Sequence, residues 1–339
     1  MNEARFQEIT TQYSRLCLVV LGDFCLDRYL EIDPGRREIS IETGLEVFNV
    51  VNVRSQPGAA GTILNNLVAL GIGQLYPIGF CGEDGEGFEL STALGSLPGV
   101  RLDHFVKTRE RRTFTYCKPL VVERGKPPRE LNRLDSKNWS PMTPTVSESI
   151  AAGLETVAPL ADGIIIMDQV DVAETGVVTR SVLESVRRQT IANPSQFMIA
   201  DSRRGLKDFP TVCFKMNHHE LAALTGTPLN SLGEIKEGAT ALACTHARPV
   251  FVTLAQRGIV GAAPDGEVEH VPAIPVRGEI DIVGAGDAVT ANLTAALAAG
   301  ATLRESLDLA MAAASIVIHQ LGTTGTASIN DLRALLFPK

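Results

Sequence analysis

Apolar and polar positions follow two spacings along this chain. Short apolar runs recur at 16–21, 75–80, 163–167, 197–200, 213–216 and 250–254, most of them closed by a small or polar residue such as Gly22-Asp23, Asp168, Asp201 or Asn217. Runs of that length bounded by turn residues predict buried strands. Segments with helical spacing lie among them, at 63–70 (stopped by Gly71), 147–160, 179–192, 288–299, 303–320 and 330–336. Strand, polar residue, helix in repetition predicts an α/β fold. The expected form is a three-layer α/β/α sandwich with a mainly parallel central sheet covered on both faces.

Other apolar pieces do not fit that repeat. Residues 39–41 and 45–53 are strand-like but interrupted by Glu42 and Asn52, and 113–122 and 129–134 flank a Gly-Lys-Pro-Pro turn, as in a hairpin. These pieces predict a small β-lid, from about 39–54 and 113–134, on one domain spanning 1–339. A second hairpin is expected within 261–276 around Pro264-Asp265-Gly266, and 321–326 reads as a small-residue loop.

Composition narrows the function classes. The chain has 339 residues, 45% hydrophobic and 21% charged, enough for a sizeable core. A net charge of -8 gives no global basic field for nucleic acid, so an anionic ligand must be held by local groups. The six cysteines form no C-x-x-C pair and read as reduced core residues in strand-like runs. The histidines show no ligand spacing, and His218-His219 would point opposite ways on a strand. The first 13 residues are polar, unlike a signal peptide, and no apolar run reaches the roughly 18 residues of a membrane span. The expectation is a cytoplasmic enzyme.

The sharpest chemical feature is Asp281-Ile282-Val283-Gly284-Ala285-Gly286-Asp287 ahead of an apolar helix. A helix start leaves several amides without intrahelical partners and carries about half a positive charge, which suits a phosphate. Asp287 at its rim is placed to take a proton from an attacking hydroxyl. A second small-residue turn, 56–62, leads into the next helix start. Asp23 and Asp27 follow the first strand, where ligands of open parallel sheets sit, and a carboxylate there can accept hydrogen bonds from sugar hydroxyls. The acidic turn 82–87 does not match a calcium loop and reads as solvated. No P-loop, no dinucleotide fingerprint and no nucleophile elbow is present in the sequence.

These residues resemble the ribokinase/PfkB sugar-kinase family from about 16 to 336. One of its signatures matches Pro57-Gly58-Ala59-Ala60-Gly61-Thr62 running on to Asn66 and Leu70-Gly71, and the other matches 281–287. Within the family the chain is most similar to the heptose 7-phosphate kinase branch, through Gly22-Asp23-Phe24-Cys25-Leu26-Asp27-Arg28-Tyr29, Arg133-Leu134-Asp135 and Leu321-Gly322-Thr323.

The resemblance implies a ribokinase-like fold and transfer of the γ-phosphoryl group of ATP to a hydroxyl of a sugar or sugar phosphate, with magnesium. Asp287 would be the base, and the amides of Gly284, Ala285 and Gly286 would hold the transferring group. Asp27, Gly58, Ala59, Thr62 and Asn66 would contact the sugar. Asn217 and Glu220 match the N-x-x-E motif that organises magnesium and phosphates. Thr253, Gly258 and Ser315 would lie beside the nucleotide, and Glu220 and Asp281 are the metal candidates. K+ is a candidate monovalent ion, and the lid strands are a candidate homodimer interface. No nucleic acid or membrane partner is implied. A nucleotidyltransferase domain, which the heptose enzyme can also carry, is not expected in a chain of this length.

The sequence departs from the family pattern at several positions. Val283 stands where a threonine is usual, Thr62 where an asparagine is usual, Ala255 where a glycine follows Thr253, and Met311 and Ser315 near the adenine pocket. These departures leave the sugar open. They also keep a second reading in view: a catalytically weak kinase-fold regulator that binds sugar or nucleotide.

Overall fold

A computed structural model describes residues 1–338. Eight strands form the central sheet, in the order Val268–Val271, Ile259–Ala262, Val250–Thr253, Cys213–Asn217, Phe197–Ser202, Gly163–Asp168, Cys17–Gly22, Gln74–Ile78. The six strands from Val250–Thr253 onward run parallel, and at the other edge Ile259–Ala262 pairs antiparallel with both Val250–Thr253 and Val268–Val271. The edge pair is the hairpin expected around Pro264-Asp265-Gly266.

Alternation along each strand feeds two cores. Leu18, Val20 and Ile165 pack on one face, and Val19, Leu21, Ile164 and Ile166 on the other. Helices Ala60–Ala69, Ala285–Ala298 and Leu303–Val317 cover the first face. Helices Pro144–Val157, Arg180–Ala192 and Leu232–His246 cover the second. Apolar residues on both faces of short strands dictate this sandwich. The three-layer α/β/α architecture expected above is present.

A smaller sheet stands apart. Phe24–Ile32 lies between Val50–Ala59, antiparallel, and Phe114–Val121, parallel. Arg129–Glu130 and Leu134–Ser136 return antiparallel onto Phe114–Val121, as the Gly-Lys-Pro-Pro turn predicted. The chain therefore passes from the central sheet into the small one within two residues, at Asp23.

The structure corrects several expectations. Asp27 is in the middle of a strand, not on a strand-end turn. Asp23 is 2% exposed and bonded within the chain rather than open at the strand end. Its buried carboxylate accepts the amides of Gln169 at 2.8 Å, Val170 at 3.2 Å and Val177 at 2.6 Å, tying the strand crossing to the loop beyond Asp168. Residues 56–59 are not a turn, because Val50–Ala59 runs straight into the helix that starts at Ala60, with Ala59 at φ 54°. The polar start of the chain forms the helix Glu3–Gln12, capped by Asn2, which buries Phe6 and Ile9. His218 and His219 begin the helix His218–Thr225 and stack on one another at 3.9 Å between ring centroids, rather than diverging. All six cysteines are free, but Cys244 is exposed on the helix Leu232–His246. Among the described residues no helix is long and apolar enough to cross a membrane.

Candidate active site

Two cavities meet at the start of the Ala285–Ala298 helix. One, of about 240 Å³, is polar and is lined by Asp27, Thr62, Lys118, Arg133, Val283 and Asp287 among others. The other, of about 450 Å³, is mostly apolar; Asn217, Thr253, Gly258, Gly286, Met311 and Ser315 are among its walls.

The helix starts here because Gly284, its N-cap, sits at φ 83°, where a β-carbon is opposed. Beyond the turn, Ala288 to Ala296 are buried and hold the helix against the sheet. The Ala285 amide donates to the Ile282 carbonyl at 3.2 Å. Ala285 is therefore a poorer anion donor than its sequence position implies. Among the described residues the amides of Gly284, Gly286 and Asp287 have no acceptor, so the open donors are these three.

Asp287 keeps part of its surface toward the polar cavity. Even so, burial pushes its pKa up to about 7, against the pull of Lys215 and with help from the negative charges of Asp201 and Asp27. A carboxylate tuned near neutrality is suited to accept a proton at physiological pH.

Lys215 is the residue the sequence reading missed. It is buried in the strand Cys213–Asn217, its ammonium is 2.6 Å from Asp201 Oδ2, and a β-carbon on Gly286 would come within 3.2 Å of its Nζ. Burial alone would lower its pKa, but Asp201, Asp287 and Glu220 hold it above the usual lysine value. The helix start is thus backed by a fixed positive charge. The signal was present: a lysine inside the apolar run Cys213-Phe214-Lys215-Met216 is costly unless used.

The polar cavity also gathers four cations the reading did not select as ligands. Lys118 pairs with Asp27 at 3.3 Å and lies 4.8 Å from the centroid of the Tyr29 ring. Arg133 lies 4.9 Å from the centroid of the Tyr116 ring and bonds Asp135 at 3.0 Å. Lys137 and Arg203 both pair with Asp171, at 2.9 and 3.0 Å. All four line the cavity. Arg133 lies in the quoted Arg133-Leu134-Asp135 stretch, but the four together are scattered over 118–203 and only the fold brings them to one cavity.

The predicted site residues divide by position. Asp27, Ala59, Thr62 and Asp287 line the polar cavity, and Asn217, Thr253, Gly258, Ala285, Gly286 and Ser315 line the apolar one. Five do not line either, the N-cap Gly284 among them. Gly58 leaves room for Asp27, since a β-carbon there would come within 2.8 Å of Asp27 Oδ2. Asn66 is fully buried and donates to the Thr62 carbonyl at 3.0 Å. Glu220 closes a capping box with Asn217, its Oε2 accepting the Asn217 amide at 2.7 Å. Asp281 accepts the Val283 amide at 3.0 Å and donates its own amide to the Ile318 carbonyl at 2.8 Å.

Among the described residues no three His, Cys, Asp or Glu side chains converge on a metal position. Magnesium in nucleotide sites takes one or two carboxylates, and Glu220 offers one, since its Oε1 has no partner among the described residues.

Comparison with known proteins agrees with the geometry. Residues 182–330 match the pfkB family carbohydrate kinase profile. The bifunctional protein HldE of Gluconacetobacter diazotrophicus is 30% identical over 325 residues, covering 96% of this chain and 64% of that protein. HldE of Trichlorobacter lovleyi is also 30% identical, over 328 residues, covering 96% of this chain and 63% of that one. The chain thus spans a little under two thirds of the curated relatives it matches. Arabidopsis thaliana ribokinase, complexed with ribose and ATP, superposes with a TM-score of 0.67 at 21% identity, covering 96% of this chain and 99% of that one. Phosphofructokinase-2 of Escherichia coli, in complex with substrates and products, gives a TM-score of 0.69 at 19% identity, covering 94% and 98%. Residues 182–330 thus match the pfkB family of carbohydrate kinases, on a chain whose fold is ribokinase-like and which is similar to HldE over 96% of its length.

Proposed function

We propose that this chain transfers the γ-phosphoryl group of ATP to a hydroxyl of a phosphorylated sugar, with D-glycero-D-manno-heptose 7-phosphate the first acceptor to test. One observation carries the reading: Asp287 and three open amides stand where an apolar cavity meets a polar cavity ringed by Lys118, Arg133, Lys137 and Arg203. The apolar cavity suits a purine, with its phosphates directed at the helix start. The four cations suit an acceptor that itself carries a phosphate, which a neutral sugar does not need.

In this reading Asp287 takes the proton of the acceptor hydroxyl as its oxygen attacks the γ-phosphorus. The bond from that phosphorus to the β,γ-bridging oxygen breaks, and ADP leaves with the electron pair. The amides of Gly284, Gly286 and Asp287 and the charge of Lys215 stabilise the moving negative charge, which is most of what phosphoryl transfer asks of a protein. Magnesium, when bound with the nucleotide, neutralises phosphate charge, and Glu220 would hold it through water.

Replacing Arg133 by alanine is expected to raise KM for the phosphorylated acceptor by on the order of tenfold, while KM for ATP stays within twofold. Equal changes in both constants would remove the phosphate-recognition role. The small sheet also supports a homodimer. Val50–Ala59 is its edge strand, and Ile39, Ile41, Leu45 and Phe48 beside it are exposed. Light scattering is expected to give twice the mass of one chain, falling to one chain for Ile41→Asp. A monomer before substitution would contradict this.

A further inference from the structure

We propose that His319 is a positioning residue for the nucleotide, acting as the single mid-span tether of the loop that walls the apolar cavity. The inference rests on the reading of that cavity as the nucleotide site. Residues 272–280 have no regular structure, yet they supply Ala273, Ile274, Val276 and Ile280 to the cavity wall. The segment is anchored at its ends. Val271 pairs with Ile259 in the central sheet, and the Asp281 amide donates to the Ile318 carbonyl at 2.8 Å. Pro272 and Pro275 have no amide to donate. Among the described residues, the only hydrogen bond made by the backbone of 272–280 is the one from the Arg277 amide to His319 Nε2, at 3.1 Å.

The imidazole is fixed for this task. Accepting from Arg277 requires an unprotonated Nε2, so the ring hydrogen is on Nδ1. Nδ1 then donates to the Ser315 carbonyl, one helical turn back, at 2.6 Å. Ser315 itself lines the same cavity. The ring thus spans from the helix on one wall to the loop on another. Val276 and Ile280 are 46% and 39% exposed, so burial alone does not hold the loop. Losing the tether leaves nine residues free to rearrange before the nucleotide can be enclosed, a cost that appears in binding and not in the chemical step.

Two substitutions separate this role from a merely structural one. In His319→Asn the amide nitrogen keeps the bond to the Ser315 carbonyl but the side chain is too short for Arg277. In His319→Gln the amide oxygen reaches the position of Nε2 and restores the acceptor. With magnesium and ATP as the probe, calorimetry and steady-state kinetics are expected to show Kd and KM for ATP raised roughly three- to tenfold in His319→Asn, the range of one net hydrogen bond. The expected kcat and acceptor KM stay within twofold, and His319→Gln recovers most of the loss. Ala314→Trp, which fills the cavity, is the control for the underlying reading. ATP binding lost in Ala314→Trp but unchanged in His319→Asn overturns the tether alone. Unchanged ATP binding in Ala314→Trp overturns the nucleotide site and the tether with it. A fall in kcat equal to the rise in KM in His319→Asn, not recovered by glutamine, overturns the positioning role.

Discussion

Asp287→Asn is expected to lower kcat by about 10²–10⁴ while leaving the affinity for ATP within twofold, because it removes the proton acceptor and keeps the shape. The pH profile supplies an independent check. With the carboxyl raised to about 7, kcat/KM of the unmodified enzyme should fall tenfold per pH unit below that value and level off above it. Stability should move the opposite way. A carboxylate whose folded pKa lies above its unfolded value makes the folded state bind more protons, so stability is lost as pH rises from about 4 to about 7. Asparagine has no such penalty. The variant should therefore be more stable than the parent at pH 8, by on the order of 1–2 kcal/mol after allowing for the solvent contact Asp287 keeps, and equal to it near pH 3. Equal thermal midpoints at pH 8 would mean that burial does not strain this carboxylate.

Lys215→Met should be nearly as damaging, through two separable effects. The substitution leaves Asp201 with a side chain only 14% exposed and, among the described residues, no partner but the Thr290 hydroxyl at 3.4 Å. Breaking a buried pair in this way typically costs about 3 kcal/mol or more. It also removes the positive charge behind the helix start, for which we expect about a hundredfold loss in kcat. Replacing Asp201 by leucine in the same chain should recover most of the stability, since Asp201 is then no longer a buried carboxylate without its cation, and none of the rate. Recovery of rate along with stability would reduce Lys215 to a structural role.

How far the site could be read from sequence depends on how local its parts are. The helix start at Gly284 and the base at Asp287 lie in one heptapeptide, and their chemistry follows from backbone geometry that short motifs specify. The central sheet was equally legible, because strands buried on both faces leave uninterrupted apolar runs such as Cys17–Gly22. The strand Phe24–Ile32 was not, since Asp27, Arg28 and Glu31 break its apolar pattern and its partners are Val50–Ala59 and the distant Phe114–Val121. That strand decides what Asp27 does: it turns the carboxylate toward Lys118 instead of leaving it on a solvated turn. The same distance hid the cation ring, assembled from residues between 118 and 203. Asn66 and Glu220 show what motif position leaves out. Motif position marks them as ligand contacts, and the structure adds that each also has a local hydrogen bond, Asn66 to the Thr62 carbonyl and Glu220 from the Asn217 amide.

The most direct test of the whole account is phosphorus NMR of the protein with ATP, magnesium and D-glycero-D-manno-heptose 7-phosphate, run beside the Asp287→Asn chain. The account predicts ADP and a new sugar phosphate resonance appearing in equal amounts, both absent from the variant over the same time. ADP formed at the same rate without the sugar, or an equal yield of the new resonance from the variant, would contradict it.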